Sequence, residues 1–286
     1  MYQDKLQLDP VATAMFEAAS RKLHAEGPRK YLGMSSIGHP CERKLWYSFR
    51  QYTPQNMEGR SKMIFSLGNV VEQEVLKWLR AAGYTVEGQQ EEFAALNGLF
   101  AGHCDGIIHG VTQRPHILEI KSASASRFKA FQTGTVCQVA PTYAAQVQCY
   151  MGYAGLERAL FVVMCKNNCE IYTERVHFDR QAFQELEAKA ARIISSNETP
   201  TRAFIQESPE CRMCEYAGHC WHSPYIQQHK TCGSCYYLGF TGIRPHCTKH
   251  GRWIKHWGMG CPDWTFRDLT DTLPAAFYEQ GPADEQ

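Results

Sequence analysis

Long hydrophobic runs are missing from this chain. None approaches the ~18 apolar residues that a membrane-spanning helix requires, so no membrane partner is expected. The opening residues, MYQDKLQLDP, lack the basic start and apolar core of a secretory signal, and a cytoplasmic chain is expected. No glycine-rich loop ends in Lys-Ser or Lys-Thr, which excludes the phosphate cradle of an ATP-driven motor. No segment repeats. Net charge is also scarce: 30 Lys and Arg against 29 Asp and Glu leave +1. Any binding of nucleic acid must therefore come from local patches rather than from a global field.

Cysteine, by contrast, is abundant, with 13 in 286 residues. In a cytoplasmic chain such a count points away from disulfides and toward metal. Cys104, Cys137, Cys149, Cys165 and Cys169 are scattered and read as small core residues or bystanders. Cys211, Cys214 and Cys220 crowd into CRMCEYAGHC, and Cys232 and Cys235 into CGSC, with Cys247 and Cys261 downstream.

The apolar pattern predicts helices over 10–25, 40–51 and 61–82. In the first, Val11, Met15 and Ala18 recur at helical spacing. In the third, Ile64, Leu67, Val71, Val75, Leu79 and Ala82 make one stripe, and Gly83 ends it. Strand texture follows. EEFAAL, Asn97-Gly98 and LFAGHCDGII read as a hairpin closed by a tight type I′ turn, and HILEIKSA reads as the next strand of a three-stranded meander. Helices are expected over 124–132, 143–155 and 179–195, and RALFVVMC has the continuous apolar character of a strand buried on both faces. The order gives a mixed α/β core. After Pro200 the periodicity fades, and a boundary is expected near residue 224.

The chemistry begins with an anomaly in HILEIKSA. Glu119 and Lys121 share one side of a strand whose other residues are apolar. A mutual salt bridge is the plainer explanation, but it leaves out Asp105, which a hairpin-like connection would bring beside Glu119. Adjacent carboxylates repel unless a cation lies between them, and a hard divalent ion with oxygen ligands meets that need. Lys121 would then orient or help deprotonate the attacking water, or stabilise charge building on a phosphate.

Asp105, a variable loop, then Glu119-Ile120-Lys121 resembles the signature of the PD-(D/E)XK nucleases. GNVVE in the long helix is similar to the RecB-like branch, in which a helix before the sheet supplies a histidine or glutamate that completes the metal site. Glu72 holds that place, and Glu74 reads as an exposed helix residue. Gln146 and Tyr150, four apart and so on one helix face, match the Gln-x-x-x-Tyr that supports the site and the DNA in that branch. The resemblance implies a restriction-endonuclease-like core, a mixed sheet flanked by helices, over roughly residues 30–222. It also implies Mg²⁺ or Mn²⁺ held by Glu72, Asp105, Glu119 and the Ile120 carbonyl. Catalytic roles fall on Asp105, Glu119, Lys121, Glu72, Gln146 and Tyr150. His103 reads as a bystander, while Ser122, Arg127 and Lys129 are plausible phosphate contacts.

CRISPR-associated RecB-like nucleases and the AddB-type nuclease domain carry one cysteine before the core and three after it. CERKLWY and CRMCEYAGHC are similar to those motifs. The resemblance implies a structural [4Fe–4S] cluster held by Cys41, Cys211, Cys214 and Cys220, with a Cys₄ zinc as the alternative. The second set, Cys232, Cys235, Cys247 and Cys261, has zinc-ribbon spacing, with His246 and His250 as possible substitutes for a ligand. Tyr236, Tyr237, Phe240, Trp253, Trp257, Trp264 and Phe266 are interleaved there with basic residues. They suit either DNA or a mini-core around the metal.

Three parts are thus expected: a nuclease domain over 1–224 with its cluster clip, a zinc-ribbon-like module over 225–268, and a disordered acidic tail over 269–286. The expected function is a metal-dependent DNA nuclease, an exonuclease of recombination, repair or phage DNA processing, working in the host cytoplasm if phage-encoded. DNA ends are the expected substrate, and a single-strand-annealing protein or a helicase is the candidate partner. A non-catalytic DNA-binding protein that kept the fold and an iron–sulfur electron carrier are the alternatives.

Overall fold

The computed structural model describes residues 10–25, 28–52, 59–221, 229–255, 257–258 and 260–265. Its elements run α1 (Pro10–Ala25), β1 (Leu32–Gly33), a 3₁₀ turn at Met34–Ser36, α2 (Glu42–Phe49), α3 (Gly59–Ala81), β2 (Thr85–Glu87), β3 (Glu92–Ala95), β4 (Phe100–His103), β5 (Gly106–His109) and β6 (His116–Ala123). They continue α4 (Ala125–Thr133), α5 (Val136–Val139), α6 (Pro141–Ala154), β7 (Arg158–Cys165), β8 (Ile171–His177), α7 (Arg180–Ser195), α8 (Pro209–Arg212) and α9 (Ala217–Trp221). A second 3₁₀ turn at Cys232–Ser234 precedes β9 (Leu238–Thr241), β10 (Arg244–Cys247) and β11 (Arg252–Trp253). Among the described residues no helix is long and apolar enough to cross a membrane.

Two compact units divide the chain: residues 1–40 with 56–192, and residues 41–55 with 193–286. This division differs from a cut near 224, because the segment that begins at Cys41 groups with the trailing cysteines. Residues 266–286, which hold Phe266 and the expected acidic tail, lie outside the described residues.

The first unit is built on a five-stranded sheet of order β2-β5-β6-β7-β8, in which only β6 and β7 run parallel. β7 is buried on both faces, as its unbroken apolar run requires. Val71, Val75 and Leu76 of α3 cover one face of the sheet and pack on Ile108, Leu118, Ile120, Leu160 and Val162. α3 ends as its sequence predicts. Gly83 takes φ +92°, the Tyr84 N–H donates to the Leu79 carbonyl at 3.1 Å, and the Gly83 N–H donates to the Arg80 carbonyl at 3.0 Å, which is the Schellman arrangement.

Three expectations need correction. The apolar stripe of α3 is buried only over its C-terminal half; Ile64 and Leu67 are 45% and 47% exposed. Val11 and Met15 of α1 also face outward. Periodicity reports an apolar face but not how much of it finds a partner. The hairpin exists, with β3 antiparallel to β4, and Asn97-Gly98 does form its turn, both at positive φ with the Leu99 N–H donating to the Leu96 carbonyl at 3.2 Å; the loop is longer than two residues only in that four residues link Ala95 to Phe100 and Leu96 also takes positive φ. The expected meander is instead split between two sheets. LFAGHCDGII is not one strand: it breaks at Cys104-Asp105, leaving β4 with β1 and β3, and β5 with β2 and β6.

In the second unit α2 is tied to the segment after α7. The Trp46 indole N–H donates to the Ser196 carbonyl at 3.1 Å, and Arg43 Nε donates to the Pro200 carbonyl at 2.6 Å. Tyr47, Tyr52, Tyr216 and His219 form one aromatic cluster. Trp257 packs edge-on against Phe49 at 4.9 Å, beside a three-stranded antiparallel sheet of order β11-β10-β9.

Candidate active site and metal centres

β5 pairs with β6 only from Gly106 to Ile108, with Gly106 opposite Leu118. One step further, the departing strand sets Asp105 against Glu119, as the motif spacing had suggested. The break also frees an edge of β6: the Ile120 N–H donates to Asp105 Oδ2 at 2.7 Å. Glu119 is 1% exposed. Its Oε1 accepts from the Lys121 ammonium and, at 2.8 Å, from Gln146 Nε2. Gln146 Nε2 also lies 3.1 Å from the Tyr150 hydroxyl, so the Gln-x-x-x-Tyr pair of α6 braces the central carboxylate. Gly102 makes room for this: a Cβ there would meet the Tyr150 hydroxyl at 2.9 Å. From α3, Glu72 reaches the same place, whereas exposed Glu74 pairs with Lys77 at 3.5 Å.

The electrostatics are unbalanced. Burial raises the Glu119 carboxyl to about 8 against the pull of Lys121, and Asp105 pushes it the same way as burial. Burial likewise raises Asp105, opposed by Lys121, the Ile120 N–H and Gln90. Burial and Asp105 raise Glu72, opposed by Gln90 and Lys121. Burial alone would lower the Lys121 ammonium, but Glu119 and Asp105 outweigh it and hold it above its ordinary value. Three carboxylates share one ammonium, so full ionisation leaves about two negative charges uncompensated. A divalent cation would supply that charge. Glu119 Oε2 and Gln146 Oε1 are buried without a hydrogen-bond partner among the described residues, so oxygen donors for such an ion are present.

Two residues of this site escaped the sequence reading. Gln90, at φ +56°, donates through Nε2 to Glu72 Oε1 at 2.9 Å and also hydrogen-bonds Asp105, clamping two carboxylates together. Nothing in EGQQEE marks that glutamine, because a turn residue has no periodicity to betray its direction. Tyr143 lies under Lys121, with the ammonium 5.1 Å from its ring centre. Its signal was available: Tyr143, Gln146 and Tyr150 are spaced three and then four apart along one helix face. His103 is exposed opposite Glu92 on β4, away from this cluster. Arg127 donates to the Val139 carbonyl at 2.5 Å, a structural tie, and Lys129 is exposed.

Both cysteine sets lie in the second unit. Cys41 caps α2. Burial raises the Cys214 thiol, Cys41 adds to that rise, and Lys44 opposes it, so residues far apart in sequence share one field. Arg43 Nη1 sits 3.8 Å from Cys220 Sγ, and Lys44 pairs with Glu215 at 2.8 Å. Ser208 fixes the Cys211 N–H at 3.2 Å. Cations thus flank these thiols, but among the described residues the ligand-type groups whose donor atoms lie within 4.8 Å of one another are His250, Cys261 and Asp263, and no three of these four cysteines do so. Cys232, Cys235, Cys247 and Cys261 line one small cavity together with His250. His250 Nε2 lies 3.8 Å from Cys261 Sγ and 3.2 Å from Asp263 Oδ2. His246, adjacent to Cys247 on β10, points to the other face of that strand and packs on Trp253.

Asp105, Glu119 and Lys121 thus lie together at the opened edge of a mixed sheet, with Gln146 bracing Glu119. Residues 58–157 match the family described as the YqaJ-like viral recombinase domain. Among solved structures, the alkaline exonuclease LHK-Exo from Laribacter hongkongensis is 20% identical, with 45% of this chain and 66% of that one covered and a TM-score of 0.36. The same enzyme in complex with dAMP is 15% identical over 63% of this chain and 90% of that one, at 0.42. A phage-related exonuclease from Haemophilus somnus 129PT is 16% identical over 44% and 66%, at 0.34. A search of curated proteins finds no match.

Proposed function

We propose that this chain is a metal-dependent DNA nuclease, an exonuclease that hydrolyses phosphodiester bonds in recombination, repair or phage DNA processing. The observation that carries the reading is three acids gathered round one lysine, with an unpartnered, buried Glu119 oxygen at their centre. Glu72, Asp105, Glu119 and the Ile120 carbonyl are the groups that would hold Mg²⁺ or Mn²⁺. Such an ion supplies Lewis acidity toward the phosphate oxygens and the attacking water. Lys121, held between Glu119, Asp105 and the Tyr143 ring, orients that water and stabilises the charge that builds on the phosphate. Gln146, braced by Tyr150, keeps Glu119 Oε1 engaged and so fixes the direction of Oε2. A non-catalytic DNA-binding protein has no use for such a cluster, whose burial opposes ionisation of every acid in it.

In the second unit, Cys41, Cys211, Cys214 and Cys220 would hold a [4Fe–4S] cluster in a structural role. Cys232, Cys235, Cys247 and Cys261 would hold Zn²⁺. The test of the activity is end-labelled DNA incubated with Mg²⁺ or Mn²⁺ and resolved as a ladder. The native chain should shorten the label progressively. Lys121→Ala should cut the rate at least about a hundredfold while binding persists. Near-normal turnover by Lys121→Ala, Asp105→Ala or Glu119→Ala would end the assignment.

A further inference from the structure

We propose that the outer face of the β9–β10–β11 sheet binds single-stranded DNA, with a base stacked on Trp253 and a phosphate held by Arg244. Strand alternation sorts this small sheet into two faces. Cys247 and Leu238 face the cysteine-lined cavity. Arg244, His246 and Trp253 share the other face, where His246 stands directly opposite Trp253. Trp253 is 49% exposed. The His246 ring meets it edge-on at 5.7 Å, and the Arg244 guanidinium lies over one face of the indole, 4.6 Å from its ring centre, so a base stacks on the face away from Arg244. Gly239 keeps the floor beside them low: a Cβ there would come within 3.1 Å of the His246 ring.

So small a unit needs its large apolar residues for a core. Trp257 serves that need, buried against Phe49. Trp253 does not, and a half-exposed indole already oriented by a cation and an imidazole is a stacking platform. Charge selects the occupant. No Asp or Glu occurs between Glu215 and Asp263, a stretch that contains Lys230, Arg244, Lys249, Arg252 and Lys255. Asp263 itself is engaged by Lys249 at 3.1 Å and His250 at 3.2 Å. Arg252, opposite Cys247, lines the cavity on the other face and Lys249 is engaged by Asp263, so Arg244 is the cation this face presents beside Trp253, and a cation next to an aromatic platform fits a polyanion whose rings are free to stack, which is a single strand. The bases of a duplex are already stacked on one another and gain nothing from Trp253. The inference deepens the nuclease reading and rests on it only for the polymer being DNA rather than RNA.

The test is fluorescence anisotropy of the full chain with fluorescein-labelled oligo(dT), oligo(rU) and a blunt duplex of equal length, with no divalent metal added. Trp253→Ala should weaken oligo(dT) binding by about tenfold, the loss of one stacked base, and change duplex binding little. Trp253→Phe should keep most of the affinity, and Arg244→Gln should weaken binding and make its salt dependence shallower. The proposal is overturned if Trp253→Ala binds oligo(dT) like the native chain, if it loses as much on the duplex, or if Trp253→Phe is no better than Trp253→Ala. Tighter binding of oligo(rU) than oligo(dT) overturns the assignment to DNA. A chain that binds through Trp253 but never cleaves would sink the nuclease reading and leave this surface standing; one that cleaves while ignoring Trp253 does the reverse.

Discussion

Gln90 shows how much of the candidate site depends on single side chains outside any motif. Its amide touches two of the three carboxylates, from a backbone conformation that a non-glycine residue seldom adopts. With the clamp removed, Glu72 and Asp105 would repel and drift apart, and an ion would have to reassemble them. Gln90→Ala is therefore expected to weaken Mn²⁺ affinity by about tenfold, as loss of a residue that orients metal ligands usually does. Titration followed by the electron paramagnetic resonance of free Mn²⁺ reads this without any turnover. Unchanged or tighter binding would mean that Gln90 competes with the ion instead of preparing its site.

The long helix α3 carries both an acid of the site and the sheet's cover, and its two halves differ. Leu76 is fully buried against the five-stranded sheet, while Leu67 lies 47% exposed on the same helix. Leu76→Ala should cost about 2–5 kcal/mol, because it leaves a cavity that close-packed neighbours cannot fill. Leu67→Ala should change stability by less than about 0.5 kcal/mol. Urea unfolding of both variants separates them. Equal losses would place a partner over the exposed half of the helix. The element also explains why Glu72, and not Glu74, enters the site. Glu72 directly follows Val71, whose buried side chain fixes the rotation of the helix against the sheet, and Glu74 falls on the outer side.

At the scale of the whole molecule, the two cysteine sets should behave independently. Anaerobically purified protein is expected to contain iron and sulfide at about four each and one zinc per chain. Substitution of Cys41 should bleach the colour as fully as substitution of Cys211, since the Cys41 segment and the trailing triplet fold into one unit. Substitution of Cys232 should release zinc and leave the colour intact. Two zincs and no iron would remove the cluster assignment and leave the Asp105, Glu119 and Lys121 argument untouched.

What the sequence by itself determined is whatever depends on local order. The buried strand with its acid and amine, the Gln146–Tyr150 spacing, the glycine stop after α3 and the two cysteine sets were all legible because period and spacing are properties of neighbours. Tertiary structure decided the rest. It broke one apparent strand at Asp105 into two sheets, because a carboxylate can reach the Ile120 N–H only where the partner strand peels away. It turned Gln90 toward two acids and kept Trp253 out of the core that took Trp257. Each of these is a contact between residues remote in sequence, and no periodicity records which remote residues will share a burial site.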